Sequence, residues 1–156
     1  MAEEIERKFL VISDQWRGQA EAVLYKQGYL VSNDETVVRV RIMGEVAMLT
    51  VKSKVSDLTR TEFEYEIPVD EADYMLENLC QKPLIDKTRT KIKIKNHVWE
   101  VDEFFGDNEG LLIAEVELGS EDEQVELPPW VGEDVSADSR YYNANLVINP
   151  YKNWKK

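Results

Sequence analysis

Glu4-Ile5-Glu6-Arg7-Lys8-Phe9-Leu10-Val11 is the stretch from which the rest of the chain can be read. In an extended strand alternate side chains point to opposite faces, so Glu4, Glu6 and Lys8 share one wall while Ile5, Phe9 and Val11 share the other. An acidic pair at this spacing can hold a hard divalent cation through oxygen ligands, and the neighbouring ammonium can take an anionic oxygen. A single strand of this kind fits the wet face of an ordinary terminal strand equally well. What separates the two readings is whether later strands repeat the pattern.

They repeat it throughout. Ala22 to Val31 reads as a second strand, and Thr36 to Ile42 sets Arg39 and Arg41 opposite Val38, Val40 and Ile42. Val46 to Lys54 puts Thr50, Lys52 and Lys54 opposite Leu49 and Val51, and Thr59 to Ile67 puts Arg60, Glu62, Glu64 and Glu66 opposite Phe63, Tyr65 and Ile67. A long strand opened by Lys82-Pro83 and running to Ile94 carries Lys87, Arg89, Lys91 and Lys93 on one face. Val98 to Phe105 then sets Glu100 and Asp102 against Trp99 and Val101, and Leu111 to Leu118 sets Glu115 and Glu117 against Ala114, Val116 and Leu118. Asn33-Asp34, Gly44-Glu45 and Asn96-His97 supply turns.

Helical signals are fewer. Asp70 is positioned to cap a helix from Glu71 to about Cys80, in which Ala72, Met75, Leu76 and Leu79 recur at helical spacing. Ser13 caps a short turn, Ser120-Glu121-Asp122-Glu123 fits the capping box of a short helix stopped by Pro128-Pro129, and Ser139 to Leu146 reads as a final helix capped by Ser139.

The 156 residues, 43% of them hydrophobic, fit one domain spanning 1–156 with a sizeable core. Nineteen lysines and arginines stand against 31 acidic residues, a formal charge of −12 that argues against nucleic acid or an anionic membrane as partner. One cysteine, Cys80, and one histidine, His97, exclude an internal disulfide and make a structural zinc site untenable. Met1 leads directly into charged residues and no stretch reaches transmembrane length, so a cytoplasmic protein is expected. A homodimer is left open.

About eight strands with one long helix predict a mainly β (α+β) domain whose antiparallel sheet closes into a barrel, which removes exposed edges. Two features decide which face turns inward. Like-sign clusters, Arg39 with Arg41 and Lys87 with Arg89 against Glu4 with Glu6 and Glu115 with Glu117, are not what solubility alone asks for. The amphipathic helix also needs an apolar sheet face to cover. The charged faces are therefore expected inside and the apolar faces outside. Charges so placed require water, metal and a polyanion, because unpaired buried charge is costly. Basic residues around acidic pairs match a substrate with several phosphates held together with magnesium. With no Gly-x-x-x-x-Gly-Lys-Ser/Thr loop in the chain, side chains must do the binding.

Glu4-Ile5-Glu6-Arg7-Lys8-Phe9 also resembles the Glu-x-Glu-x-Lys signature of the CYTH superfamily, the triphosphate tunnel metalloenzymes. The likeness continues in order through Gln27-Gly28-Tyr29-Leu30, Val38-Arg39-Val40-Arg41, Leu49-Thr50-Val51-Lys52, Arg60-Thr61-Glu62-Phe63-Glu64, Asp86-Lys87-Thr88-Arg89, Glu100-Val101-Asp102 and Ala114-Glu115-Val116-Glu117. Thr90 departs from it where relatives often carry tyrosine. The resemblance, nearest to small bacterial inorganic triphosphatases, implies an eight-stranded antiparallel tunnel, a requirement for Mg2+ or Mn2+, and hydrolysis of inorganic triphosphate (tripolyphosphate). It also implies that Arg140 to Leu146 packs near one tunnel end. Adenylate cyclases and thiamine triphosphatases belong to the same superfamily, and a non-catalytic polyphosphate-binding module is the reading from another class.

Resemblance and face together assign Lys8, Arg39, Arg41, Lys52, Arg60, Lys87 and Arg89 to phosphate oxygens, and Glu4, Glu6, Asp102, Glu115 and Glu117 to the metal site. A carboxylate among Glu62, Glu64, Glu115 and Glu117 is expected to orient the attacking water. Tyr29 with Lys87 forms a second candidate pair for placing the water or the leaving group. Lys54, Glu66, Lys91 and Glu100 read as rim residues, Trp16, Trp99 and Trp130 as packing, and His97 as an exposed turn residue.

Overall fold

The computed structural model describes residues 2–154, apart from the side chain of Ala2; Met1, Lys155 and Lys156 lie outside the described residues. The alternating segments form strands: β1 Ala2–Val11, β2 Ala22–Ser32, β3 Thr36–Met43, β4 Val46–Lys54, β5 Thr59–Ile67, β6 Ile85–Ile94, β7 His97–Phe104 and β8 Leu112–Glu117. A short ninth strand, β9 Val131–Asp134, follows. The helices are α1, Val69–Asn78, and α2, Asn143–Ile148. The sheet runs β5-β4-β3-β2-β6-β7-β8-β1-β9, and an additional β5–β1 pairing closes the first eight strands into a barrel. Every pairing is antiparallel.

Register brings the charged walls together. Glu6 lies opposite Glu117 and Lys8 opposite Glu115 across β1 and β8, Glu4 opposite Arg60 across β1 and β5, and Lys52 opposite Glu62 across β4 and β5. Gln27 and Tyr29 on β2 lie opposite Arg41 and Arg39 on β3, and Arg89 on β6 lies opposite Asp102 on β7. Because pairing partners share a face, one inward charged residue carries its neighbours inward with it.

The apolar faces look outward and are covered in two places. One cluster sets Phe9, Ile92, Trp99, Val101, Ala114 and Val116 under Trp16, Leu118 and Trp130. Trp99, with no exposed surface, meets Phe9 at a ring distance of 5.5 Å and Trp130 edge-on at 5.9 Å, so these tryptophans are packing residues. In a second cluster α1 lays Ala72, Leu76 and the buried Cys80 over Val40 and Ala47, with Ile42 and Leu49 packed around them. A third cluster closes one end of the barrel from within: Tyr29, Ile85, Phe104 and Ile113 pack against Leu146 and Val147 of α2. Among the described residues, no helix is long and apolar enough to cross a membrane.

Several local expectations change. α1 begins at Val69 with Pro68 at its N-cap position and no side-chain cap, so Asp70 sits inside the first turn, where with Glu71 it complements the helix dipole. The long strand starts at Ile85 rather than at Lys82-Pro83. Ser120 to Glu123 forms a turn and no helix: Glu123 accepts from the Gly119 N–H at 2.6 Å and reaches the His97 ring, and the chain beyond runs on to bury Trp130. His97 is accordingly half-buried on β7 and not a free turn residue. The expected helix from Ser139 splits into a 3-10 turn, Ser139–Tyr141, capped by Asp138, and α2. Tyr142 stands extended between them, its hydroxyl donating to the Ser136 carbonyl at 2.9 Å. β9 was not expected, since four residues carry too little alternation to read as a strand.

α1 ends tightly against β2 at Gly28. A Cβ there would sit 2.8 Å from Leu84 Cδ2 and 2.9 Å from Cys80 Cβ. Gly28→Ala should therefore cost about 1–3 kcal/mol by overpacking, read from urea denaturation, whereas Leu79→Ala, at the C-cap of α1 where the last residue of the expected apolar stripe instead faces solvent, should shift stability by less than about 0.5 kcal/mol.

Candidate functional site

Closing the barrel leaves a cavity of about 640 Å³ along its axis. Of the expected basic residues, Lys8, Arg39, Arg41, Lys52, Arg60 and Arg89 line it, and so do the acids Glu4, Glu6, Glu62, Glu64, Glu115 and Glu117, together with Tyr29. Two expected residues do not reach it. Lys87 and Asp102 lie beneath the cavity surface with no exposed area. Lys54, Lys91 and Glu100, read as rim residues, do line the cavity, and Lys91 and Glu100 approach within 3.8 Å at its edge.

The acidic wall is built from β1 and β8. Lys8 donates to Glu115 at 2.8 Å and stands 4.0 Å from Glu6; Lys52 crosses from β4 to donate to Glu4 at 2.8 Å and lies 3.4 Å from Glu62. Burial would raise Glu115, but Lys8, Arg89 and Lys87 hold its carboxyl well below the ordinary range. Glu6 has no such compensation: burial, then the repulsion of Glu115, push it up to about 8 against the pull of Lys8. Glu117 is likewise raised by burial and by Glu4 and Glu100.

The basic wall is built from β2, β3 and β6. Arg39 lies near Thr50 at 3.4 Å and near Glu64 at 3.9 Å, and its buried Nε has no hydrogen-bond partner among the described residues. Arg41 donates through Nε to Gln27 at 2.9 Å and has no carboxylate partner among the described residues; burial, with Arg39 and Arg89 nearby, lowers it to about 10. The Tyr25 ring lies beneath this group, 5.2 Å from Arg41 and from Arg89 and 5.9 Å from the Lys87 ammonium. Its π-face offsets part of the mutual repulsion. Arg60 has no carboxylate partner among the described residues either and lies over the Tyr142 ring at 5.3 Å.

Asp102 serves this wall from below. It takes a forked pair from Arg89, 2.7 Å and 2.8 Å, and a third bond from Lys87 at 2.7 Å. Burial works against its charge, but Arg89 and Lys87 keep its carboxyl below the ordinary range. Lys87 is drawn down to about 7 by burial, with Arg89 and Arg41 adding to the effect against Asp102, and its ammonium also faces Asn143 of α2 at 3.4 Å. All three bonds to Asp102 come from Arg89 and Lys87, and the carboxylate has no exposed surface.

The arrangement is thus a cation-seeking wall of crowded carboxylates facing an anion-seeking basic wall in which Arg41 and Arg60 have no carboxylate partner among the described residues. Glu4, Glu6, Glu115 and Glu117 are hard oxygen donors suited to a divalent cation, and the repulsion among them is what a cation would relieve. Among the described residues no three of them yet converge as a metal would draw them, because Lys8 and Lys52 lie between. Gln27, Thr50, Tyr25 and Asn143 are functional neighbours the sequence reading did not single out. Strand parity with Tyr29 and Lys52 pointed to the first three; Asn143 lies in the Arg140 to Leu146 segment that the resemblance set near one tunnel end, but its contact with Lys87 was not expected.

A structural role for Asp102 has a measurable signature. Asp102→Asn should lower stability by roughly 3 kcal/mol, the lower end for a buried pair losing one partner, because Arg89 keeps Glu100 at 3.3 Å and Glu115 at 3.7 Å. Glu117→Gln should leave urea stability unchanged or slightly raised, since it removes a repelling acid.

Comparison with known proteins places this geometry. The chain is 49% identical over 156 residues to an inorganic triphosphatase of Acetivibrio thermocellus, covering all of both chains. It is 37% identical over 150 residues to an inorganic triphosphatase of Nitrosomonas europaea, covering 94% of this chain and 97% of the relative. The crystal structure of the inorganic triphosphatase NE1496 superposes with a TM-score of 0.68 at 36% identity, covering 95% of this chain and 96% of that one. The family model of the CYTH domain matches residues 2–147, and with the ordered walls of its closed barrel the chain belongs to the CYTH domain family.

Proposed function

We propose that this protein hydrolyses inorganic triphosphate to pyrophosphate and phosphate inside the barrel, with Mg2+ or Mn2+ bound at the β1–β8 acids. The carrying observation is the pairing of opposed walls: carboxylates bonded to lysines on one side, and Arg41 and Arg60, with no carboxylate partner among the described residues, on the other. A compact polyanion bridged to a divalent cation satisfies both walls at once, and neither a nucleic acid nor a membrane would fit between them. The named activity of relatives at 49% and 37% identity supports the same reading over a cyclase, a thiamine triphosphatase or a binding module.

Each residue then has a task. Arg39, Arg41 and Arg60, with Arg89 held in place by Asp102, bind the phosphate oxygens and stabilise the charge that spreads over them as the terminal phosphoryl departs. Lys8 and Lys52 turn from Glu115 and Glu4 toward phosphate once those acids are otherwise occupied. Glu4, Glu6, Glu115 and Glu117 would hold the cation, whose chemistry is to polarise phosphoryl oxygens and acidify water. Glu62 or Glu64, on the β5 wall, orients the attacking water, and Tyr29 donates to an oxygen of the departing pyrophosphate. Lys87 and Asp102 act from beneath, fixing Arg89 and reaching α2 through Asn143.

Phosphate release from tripolyphosphate, ATP and thiamine triphosphate with Mg2+, Mn2+ or EDTA is the direct test. Metal-dependent turnover of tripolyphosphate well above the other two is expected; cyclic AMP from ATP, or binding without turnover, would replace the proposal with a cyclase or a sensor. Glu6→Gln and Glu117→Gln should each lower kcat by roughly 100-fold. Arg39→Ala should raise KM about tenfold or more, the loss of one charge-assisted contact, and an unchanged KM would take that wall out of the binding site.

A further inference from the structure

Gln27 is a fully buried polar residue to which the reading above gives no task, although it bridges two residues that line the cavity. Its side-chain oxygen accepts from Arg41 Nε at 2.9 Å, and its side-chain nitrogen donates to the Tyr29 hydroxyl oxygen at 3.1 Å. The orientation of this amide is not a free choice. Arginine Nε–H can only donate, so the amide atom facing it must be the oxygen, and the NH2 end is thereby turned to Tyr29.

The consequence falls on the phenol. A tyrosine hydroxyl has one proton and two lone pairs. One lone pair is engaged by Gln27, which offers no acceptor on that side, so the proton must be given elsewhere. No other hydrogen bond of the Tyr29 hydroxyl exists among the described residues, and the side chain borders the cavity. We infer that Gln27 is a positioning residue that, anchored by Arg41, forces the Tyr29 hydroxyl to present its proton to the cavity, where an anionic phosphate oxygen receives it. This rests on the role proposed for Tyr29 above. It explains why an amide stands here: a carboxylate would pair with Arg41 at least as well, but would accept from Tyr29 and take the proton away from the substrate, while an apolar side chain would orient neither partner.

Gln27→Glu keeps size and the Arg41 contact and reverses the direction of the bond to Tyr29, while adding a charge beside Arg41 for which Gln27→Met is the control. The experiment compares wild type, Tyr29→Phe, Gln27→Glu, Gln27→Met and Gln27→Glu/Tyr29→Phe in kcat and KM for tripolyphosphate. It also records the ultraviolet resonance Raman tyrosine doublet, which reports whether a phenol oxygen donates or accepts; the difference from Tyr29→Phe isolates Tyr29. The expected result is a kcat loss for Gln27→Glu equal to that of Tyr29→Phe, about tenfold to a hundredfold, with no further kcat loss in the double variant; any rise in KM belongs to the charge placed beside Arg41 and is absent from Tyr29→Phe. The doublet should shift from accepting toward donating. Gln27→Met should lose the same kcat without introducing a charge, which keeps the test open if Gln27→Glu does not fold. An unshifted doublet, or a Gln27→Glu loss that persists undiminished in the Tyr29→Phe background, overturns the inference. Absence of triphosphatase activity in wild type, or full activity in Tyr29→Phe, would instead remove the proposed function or the role of Tyr29, and the Raman result would still decide what Gln27 does.

Discussion

Asp102 holds the interior together. A carboxylate without exposed surface takes three bonds from Arg89 and Lys87, and so allows two cations to be buried at the centre of a β-barrel beside a third, Arg41, that has no acid of its own among the described residues. Without it Lys87 would be a buried ammonium with no acid within ion-pair distance among the described residues, and Arg89 would keep only Glu100 at 3.3 Å and Glu115 at 3.7 Å, a state that burial makes expensive. The Tyr25 face and the Gln27 carbonyl handle the remainder with partial charges only. The wall is therefore left with a surplus of positive charge facing the cavity.

That surplus has a counterpart across the barrel. Glu6 and Glu117, crowded by neighbouring acids, sit opposite one another in the β1–β8 register. In an ordinary protein core both walls would be errors of design, since each carries charges without full compensation. Here they are complementary to a single class of guest, a polyanion carrying its own cation. The site is preorganised in the sense that its charges are held by strands and not by loops, with Lys8, Arg39, Arg41, Arg89 and Glu115 already buried.

An inside-out charge pattern also dictates where the apolar core must go. Because the inward faces are spent on the site, Trp99, Phe9 and Val116 have to be buried from outside, and the loops carrying Trp16 and Trp130 supply the cover. α1 performs the same service over β3 and β4, and Cys80 and Leu84 in the segment after it press so closely on β2 that position 28 needs glycine. Only at one end does an apolar cluster enter the barrel, where α2 closes it with Leu146 and Val147 and brings Asn143 to Lys87.

Strand alternation is a local property, so the sequence by itself determined the eight barrel strands, which residues share a wall, and that the charged walls face a common interior. Glu4-Ile5-Glu6-Arg7-Lys8 and its successors carry that information without reference to anything distant. Which members of a wall reach the cavity and which lie beneath it depends on barrel closure and register. Lys87 and Arg89 look alike in the chain, yet Asp102 and Asn143 draw the first below the surface while the second lines it. Some short elements were illegible for a related reason: the Glu123 contact with His97 and the pairing of β9 with β1 are made across the fold, while the Glu123 bond to Gly119 and the Tyr142 bond to Ser136 are local contacts that strand and helix periodicity does not register. The direction of the Gln27 amide is the last case, for it is decided by a guanidinium fourteen residues away that only strand pairing brings within 2.9 Å.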